Sequence, residues 1–323
     1  MKAIRFAKTG GPEVLSYEDA ELRPPGPGEI QIRHTAIGVN FLDTYHRSGL
    51  YPVPLPSGLG TEAAGAVAAV GEGVSAFKPG ERVGYCTGPL GAYAEASNVP
   101  ADKVVKLPDG LSDEVAAAAM LKGMTAQYLL KRTFKVEPGQ TIVFHSAAGG
   151  VGLIACQWAK HLGARVIGTV GSDDKIALAK ANGCAVVLNI RKDDWVARVR
   201  ALTGELGVPV VYDSVGRDTF MGSLDCLAVR SMLVSFGNSS GPVAEFAPGI
   251  LSAKGSLYLT RPTLFHYTRT AEELRETAGD LFAVLASGAV KVEVRQRFAL
   301  KDARAAHEAL HSRQTTGATV LIP

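Results

Sequence analysis

The residues with the clearest chemical purpose are a run of small ones, Ser146-Ala147-Ala148-Gly149-Gly150-Val151-Gly152. Before it stands Thr141-Ile142-Val143-Phe144-His145, a near-continuous apolar segment of the kind buried on both faces of a parallel sheet. After it comes the pattern of an apolar helix, over residues 150–162. Glycines at such a junction let the backbone turn sharply and approach a pyrophosphate, whose charge then sits on the helix N-terminus. The common G-x-G-x-x-G reads here as A-x-x-G-x-x-G or A-x-G-G-x-G, depending on alignment. Alone, such a loop is a weak sign. Between a buried strand and a helix, within a series of βα units, it points to a dinucleotide. The plainer alternative is a tight turn that needs small side chains. His145 and Ser146 read as structural, because a histidine at a strand end is more often packed and hydrogen-bonded than catalytic.

The next strand bears on which dinucleotide is bound. Binders of NAD usually place an acid at its end, against the ribose 2′-hydroxyl. Here the strand ends Thr169-Val170-Gly171-Ser172, without an acid. Ser172 and Lys175 are both donors, one of them cationic, and suit a 2′-phosphate. NADP(H) is therefore expected ahead of NAD(H). Asp173 and Asp174 weigh the other way: they lie about twenty residues past the loop, where an NAD acid could sit. They also suit the N-cap and first turn of the following helix.

Metal and disulfide chemistry find little support. The four cysteines, Cys86, Cys156, Cys184 and Cys226, form no C-x-x-C or other zinc-ligand spacing, and are too sparse for a disulfide scaffold. They read as reduced packing residues.

The elements that must position the loop follow from periodicity. Up to about residue 120 the chain reads as short strands (29–34, 66–70 and 103–107) between Gly/Pro clusters, a β-rich, barrel-like unit. Tyr51 to Pro56 reads as an ordered surface loop. Ser112 is a plausible N-cap for an Ala-rich helix, with a second helix over 124–131. Strands over 141–145, 165–170, 185–188, 208–212, 232–236 and 256–260 then alternate with helices, which predicts a doubly wound parallel sheet. A helix over 270–288, a strand over 290–294, a helix over 301–311 and a strand over 319–322 close the chain. This tail has too little core to stand alone and is expected to join the N-terminal β-rich unit.

Composition sets the limits. The chain has 323 residues, suggesting about two domains, and 46% are hydrophobic, enough for a substantial core. With 34 Lys and Arg against 31 Asp and Glu, and no basic tract, the balance is too even for a nucleic-acid or membrane-surface protein. No apolar run reaches about 18 residues, and Met1 to Phe6 begins like a strand rather than a signal peptide, so a cytoplasmic protein is expected.

Several segments together resemble the zinc-independent quinone oxidoreductases of the medium-chain dehydrogenase/reductase superfamily, the zeta-crystallin-like group. They are Gly38-Val39-Asn40-Phe41-Leu42-Asp43-Thr44-Tyr45, Gly58-Leu59-Gly60-Thr61-Glu62-Ala63-Ala64-Gly65, the loop Ala147 to Gly152, Tyr212-Asp213-Ser214-Val215-Gly216, and Phe236-Gly237-Asn238-Ser239-Ser240-Gly241. The resemblance runs over essentially the whole chain. It implies an α/β protein: a Rossmann doubly wound parallel sheet at 123–262, plus a GroES-like β-rich catalytic domain built from 1–122 and 263–323. It also implies a homodimer joined along the Rossmann sheet edge at Ser256 to Thr260. Zinc-dependent relatives carry a Cys near Asn40 and a His in a Gly-His-Glu motif. Asn40 and Gly60-Thr61-Glu62 stand there instead, and neither amide nor hydroxyl replaces thiolate or imidazole well at zinc.

Carried over by position, Asn40, Phe41, Asp43 and Tyr45 resemble residues that line the nicotinamide and acceptor pocket, and Thr125 and Tyr128 residues beside the cofactor. Gly149, Gly150, Val151 and Gly152 match the pyrophosphate loop, and Gly171, Ser172 and Lys175 the 2′-phosphate pocket. Ser214, Phe236, Gly237, Asn238 and Ser239 match loops over the ribose and nicotinamide, and Arg313 a C-terminal arginine that reaches the cofactor. One departure is Ile190, where relatives carry a 2′-phosphate-binding tyrosine. The expected activity is transfer of reducing equivalents from NADPH to a quinone, with the Tyr45 hydroxyl or Asn40 amide stabilising charge on the acceptor oxygen. Reduction of an activated alkene (an enone, alkenal or enoyl thioester) is the enzymatic alternative. An NADPH-binding, RNA-binding protein is the non-enzymatic alternative, and the near-neutral charge argues against it.

Overall fold

Ile30, Ile32, His34 and Ala36 are buried at alternate positions, and the segment that carries them, Glu29–Val39, is strand β1. The computed structural model describes residues 1–312 and 315–323. Strand β1 runs through Asn40 into helix α1 (Phe41–Ser48), and β2 (Ala63–Val70) returns antiparallel to β1. Helix α2 (Asp113–Tyr128) follows. Ser112 does cap it, its hydroxyl accepting from the Val115 N–H at 3.3 Å. The two helices expected between 116 and 131 are one, because Gly123 is no terminator. A Cβ there would overlap the buried Leu281 side chain, so the glycine permits close approach of two helices. Of the strand expected at 103–107 only Val105–Lys106 forms, because a 3-10 turn over Ala101–Lys103 takes its first residues.

The alternating half follows: β3 (Thr141–Phe144), α3 (Gly150–His161), β4 (Arg165–Val170), β5 (Cys184–Asn189), β6 (Val208–Asp213), β7 (Leu227–Ser235) and β8 (Tyr258–Thr260). Among the described residues these strands form one parallel sheet in the order β5-β4-β3-β6-β7-β8. The doubly wound sheet read from the sequence is borne out. Val143, Ile167, Val211 and Leu233 are buried in its centre. The strand order reverses between β3 and β6, and in such sheets ligands bind outside the carboxyl ends of the strands at that point.

The tail consists of α4 (Ala271–Ala286), β9 (Val294–Ala299), α5 (Ala303–His311) and β10 (Ala318–Ile322). The strand expected at 290–294 lies later, at β9. Lys291 instead exchanges two hydrogen bonds with the Gln157 side chain, N–H to Oε1 at 2.9 Å and O from Nε2 at 3.1 Å, which holds the segment out of a ladder. Strand β10 pairs antiparallel with β1, and β9 pairs parallel with β10. Two compact units result: Met1–Met124, Tyr267–Ala286 and Val292–Pro323 form one, and Thr125–His266 with Ser287–Lys291 the other. Among the described residues no helix is long and apolar enough to cross a membrane.

Candidate functional site

The glycine loop turns as its sequence requires. Ser146 adopts φ +55, and the Gly149 N–H closes back on the Ser146 carbonyl at 2.8 Å. Helix α3 then starts at Gly150, with Gly149 as its N-cap, no side-chain cap and no acid in its first turn. The N–H groups at that end therefore have no carboxylate competing for them, which suits a pyrophosphate. Gly152 serves packing: a Cβ there would overlap the Ser146 carbonyl oxygen and come within 2.8 Å of the Ala147 backbone.

Gly171 and Ser172 follow β4 and are half-buried, as is Lys175. Asp173 is turned to other partners. It accepts from Asn189 Nδ2 at 2.6 Å and forms an ion pair with Lys192, and these hold its carboxyl below the usual carboxylate range. Ile190 continues the strand pairing through its N–H, bonded to the Val170 carbonyl at 3.0 Å. The next residue, Arg191, was missed by sequence reasoning. Its exposed side chain places Nε 4.0 Å from where a Gly171 Cβ would stand. The signal was available: a cation one residue past the apolar Ile190, in the loop beside the acid-free strand end.

The loops after β6 and β7 are braced from beneath. The buried Asp213 carboxylate accepts from the N–H groups of Val215 and Gly216 at 2.8 and 3.0 Å, and from the Thr219 and Ser223 hydroxyls. This fixes the turn that carries the half-buried Ser214. Sequence reasoning quoted Asp213 without seeing this role. Ser223 in turn accepts from His145 Nε2 at 3.0 Å, and His145 Nδ1 accepts from the Thr169 hydroxyl at 2.8 Å. His145 is fully buried, so its structural reading holds. A Cβ on Gly237 would collide with the Ser214 backbone, which keeps the two loops in contact. Phe236 lies against Phe144, with ring centroids 5.7 Å apart. Asn238 and Ser239 are half-buried on the same loop, where Arg261 Nη1 donates to the Ser235 carbonyl at 2.9 Å. Thr125 and Tyr128 occupy the last turn of α2, both buried.

In the other unit, Asn40 is the N-cap of α1, and Asp43 accepts from its backbone N–H at 2.8 Å. The Asn40 amide is buried and doubly held. Lys122 Nζ donates to its Oδ1 at 2.7 Å, and its Nδ2 donates to Glu62 Oε2 at 2.7 Å. Glu62 Oε1 accepts from the Leu121 N–H at 2.6 Å, and Lys122 lies 3.6 Å from Oε2. Burial pushes Glu62 above the usual carboxylate range, opposed by Lys122 and these donors. Gly38 makes the arrangement possible, since a Cβ there would overlap the Glu62 carboxylate.

Asp43 is fully buried and faces inward, accepting from the Tyr93 hydroxyl at 2.9 Å. Tyr93 accepts from His307 Nε2 at 3.1 Å, and His307 Nδ1 accepts from Arg47 Nη1 at 3.0 Å. Because a guanidinium only donates, the direction of the whole chain is fixed. Burial raises Asp43 to about 7, and burial beside Arg47 lowers His307 to about 3. On the outer side of α1, Phe41 is 39% exposed, and Tyr45 is half-buried with its ring edge-on to Tyr51 at 5.3 Å. Arg313 lies outside the described residues.

Comparison with known proteins agrees with this geometry. Residues 26–109 match the alcohol dehydrogenase GroES-like domain, and 150–283 match the family described as zinc-binding dehydrogenase. A quinone oxidoreductase of Pseudomonas aeruginosa is 55% identical over 323 residues, covering 100% of this chain and 99% of its own length. This chain belongs to the quinone oxidoreductases of the medium-chain dehydrogenase/reductase superfamily. Among solved structures, the Escherichia coli quinone oxidoreductase complexed with NADPH is 54% identical. It superposes with a TM-score of 0.99 over 100% of both chains. A 2-haloacrylate reductase of Burkholderia is 47% identical, covering 98% of this chain and 97% of its own.

The zinc named for the matched dehydrogenase family does not fit the residues of this quinone oxidoreductase. An ammonium, Lys122, already contacts the amide that stands in the thiolate's place, and it would repel a second cation. Among the described residues, no group of three or more His, Cys, Asp and Glu is arranged to hold a metal ion.

Proposed function

We propose that this chain transfers reducing equivalents from NADPH to a quinone without a metal. The observation that carries the reading is the acid-free N-terminus of α3 behind the close-packed Gly152, in a chain that matches an NADPH-complexed quinone oxidoreductase from end to end. When bound, NADPH supplies the hydride. The backbone of Gly149 to Gly152 holds the pyrophosphate, while Ser172, Lys175 and Arg191 supply donors for the 2′-phosphate. Phe41, Thr125, Tyr128, Ser214 and Phe236 to Ser239 complete the nucleotide contacts, with residues 123–262 as the cofactor-binding domain. As negative charge gathers on the acceptor oxygen, the Asn40 amide and Tyr45 hydroxyl are the donors that stabilise it. Asp43 acts indirectly, by fixing the start of α1 through its bond to the Asn40 N–H.

Two further features belong to this reading. A homodimer forms along β8, an edge strand of the parallel sheet, a view supported by Tyr258 and Val229 at 60% and 71% exposed. The protein works in the reducing cytoplasm, a view supported by four unpaired, buried cysteines.

The test is oxidation of NADPH and of NADH against a panel of quinones, enones and aldehydes. Turnover of quinones with NADPH is expected. Activity confined to enones would favour the second reading, reduction of activated alkenes, which the 2-haloacrylate reductase relative supports.

A further inference from the structure

The Asn40 amide sits between opposite charges. Lys122 Nζ lies 2.7 Å from its oxygen, and Glu62 Oε2 lies 2.7 Å from its nitrogen. A flipped amide would set Nδ2 against an ammonium and Oδ1 against a carboxylate, so a single orientation survives. Both Glu62 oxygens accept hydrogen bonds, from Leu121 and from Asn40, which favours the carboxylate form. All three side chains are buried, where water screens these interactions little. An amide nitrogen carries two hydrogens, and Glu62 takes one. The second has no partner among the described residues.

From this geometry we infer that Lys122 and Glu62 are positioning residues, which lock the Asn40 amide so that its one remaining N–H is presented to the acceptor oxygen. The ammonium at Oδ1 also draws electron density out of the amide and strengthens that N–H as a donor. Where superfamily relatives would polarise the acceptor with a metal, this chain uses an amide braced by an internal ion pair. The inference rests on the proposed role of Asn40 as a donor, and the experiment separates the two.

Reduction of 1,4-benzoquinone by NADPH is measured for Asn40→Ala, Lys122→Met and the double variant, with melting temperature recorded for each. Asn40→Ala is expected to lower kcat about 100-fold, the usual effect of losing one such donor. Lys122→Met is expected to lower kcat about 10-fold or more, leaving KM for NADPH within about twofold. In the Asn40→Ala background, Lys122→Met should then change kcat by less than about twofold, because the group it positions is gone. Equal losses with and without Asn40, or a Lys122→Met enzyme with full kcat, overturn the inference. A fully active Asn40→Ala enzyme overturns the donor role itself. If Lys122→Met does not fold, the charge-balanced Glu62→Gln/Lys122→Met variant takes its place, with the same loss expected and full kcat overturning the inference.

Discussion

At the scale of single residues, the proposed specificity for the nucleotide's phosphate rests on charges that the sequence shows and on pairings that it hides. Asp173 could repel a 2′-phosphate, yet its carboxylate is held by Lys192 and Asn189. Ile190 offers no donor where relatives carry a tyrosine, but Arg191 follows it, with Nε 4.0 Å from the Cβ position of Gly171. A guanidinium on phosphate makes charge-assisted, often bidentate hydrogen bonds worth about 1.5–3 kcal/mol. Arg191→Ala is therefore expected to raise KM for NADPH about 10- to 100-fold while leaving KM for NADH within about twofold. Steady-state kinetics with both nucleotides checks this. An equal rise for both would remove Arg191 from phosphate recognition. The types of Asn40, Ser172 and Lys175 were legible because each stands at a recognisable place in a motif. The partners of Asp173 and Asn40 were not, because Lys192 lies 19 residues from one and Lys122 lies 82 from the other.

At the scale of elements, apolar periodicity located the strands of the parallel sheet and most helices, because a segment buried on both faces leaves an unbroken signature. Misreadings came where a glycine or a side chain acted across the fold. Gly123 looks like a break and is a contact with Leu281, and the 290–294 segment looks like a strand but is bonded to Gln157. The glycine loop shows the same distinction between glycines. A Cβ on Gly149 would sit 3.1 Å from the Ser146 carbonyl, a crowding that a small shift relieves. On Gly152 it would overlap that carbonyl outright, with the rigid start of α3 behind it. Gly152→Ala is expected to lower stability by about 1–3 kcal/mol and to abolish NADPH binding. Gly149→Ala should cost less than about 1 kcal/mol. Urea unfolding and quenching of NADPH fluorescence give the ranking, and a reversed order would show that the loop is not packed as described.

Across the whole molecule, acid stability depends on groups that no motif announces. His34 and His307 are buried and neutral, and burial lowers them to about 4 and about 3. Each is fixed as one tautomer, His34 by donating from Nδ1 to the Ala94 carbonyl at 2.7 Å, and His307 by accepting from Arg47. Their folded pKa values lie below the unfolded value of about 6.5, so their contribution is present above that pH and lost as pH falls through the folded values. Asp43 has the opposite sign. Raised by burial to about 7, with its buried Oδ1 unpartnered, it favours the fold in its protonated form, and that contribution is lost as pH rises toward 7. Between about pH 4 and 6.5 the unfolded chain binds two more protons at these histidines and one fewer at this aspartate. The net over these three groups is one proton, a share of about 1.4 kcal/mol of stability lost for each pH unit of acidification. Unfolding free energies measured across this range should fall on acidification, with the buried His145 adding to the fall and Glu62 opposing it. Asp43→Asn removes one opposing group and should steepen the slope by about 1.4 kcal/mol per pH unit relative to the parent chain. A slope unchanged by Asp43→Asn would mean that Asp43 is already ionised in the fold, held so by the Tyr93 and Asn40 donors that converge on its Oδ2.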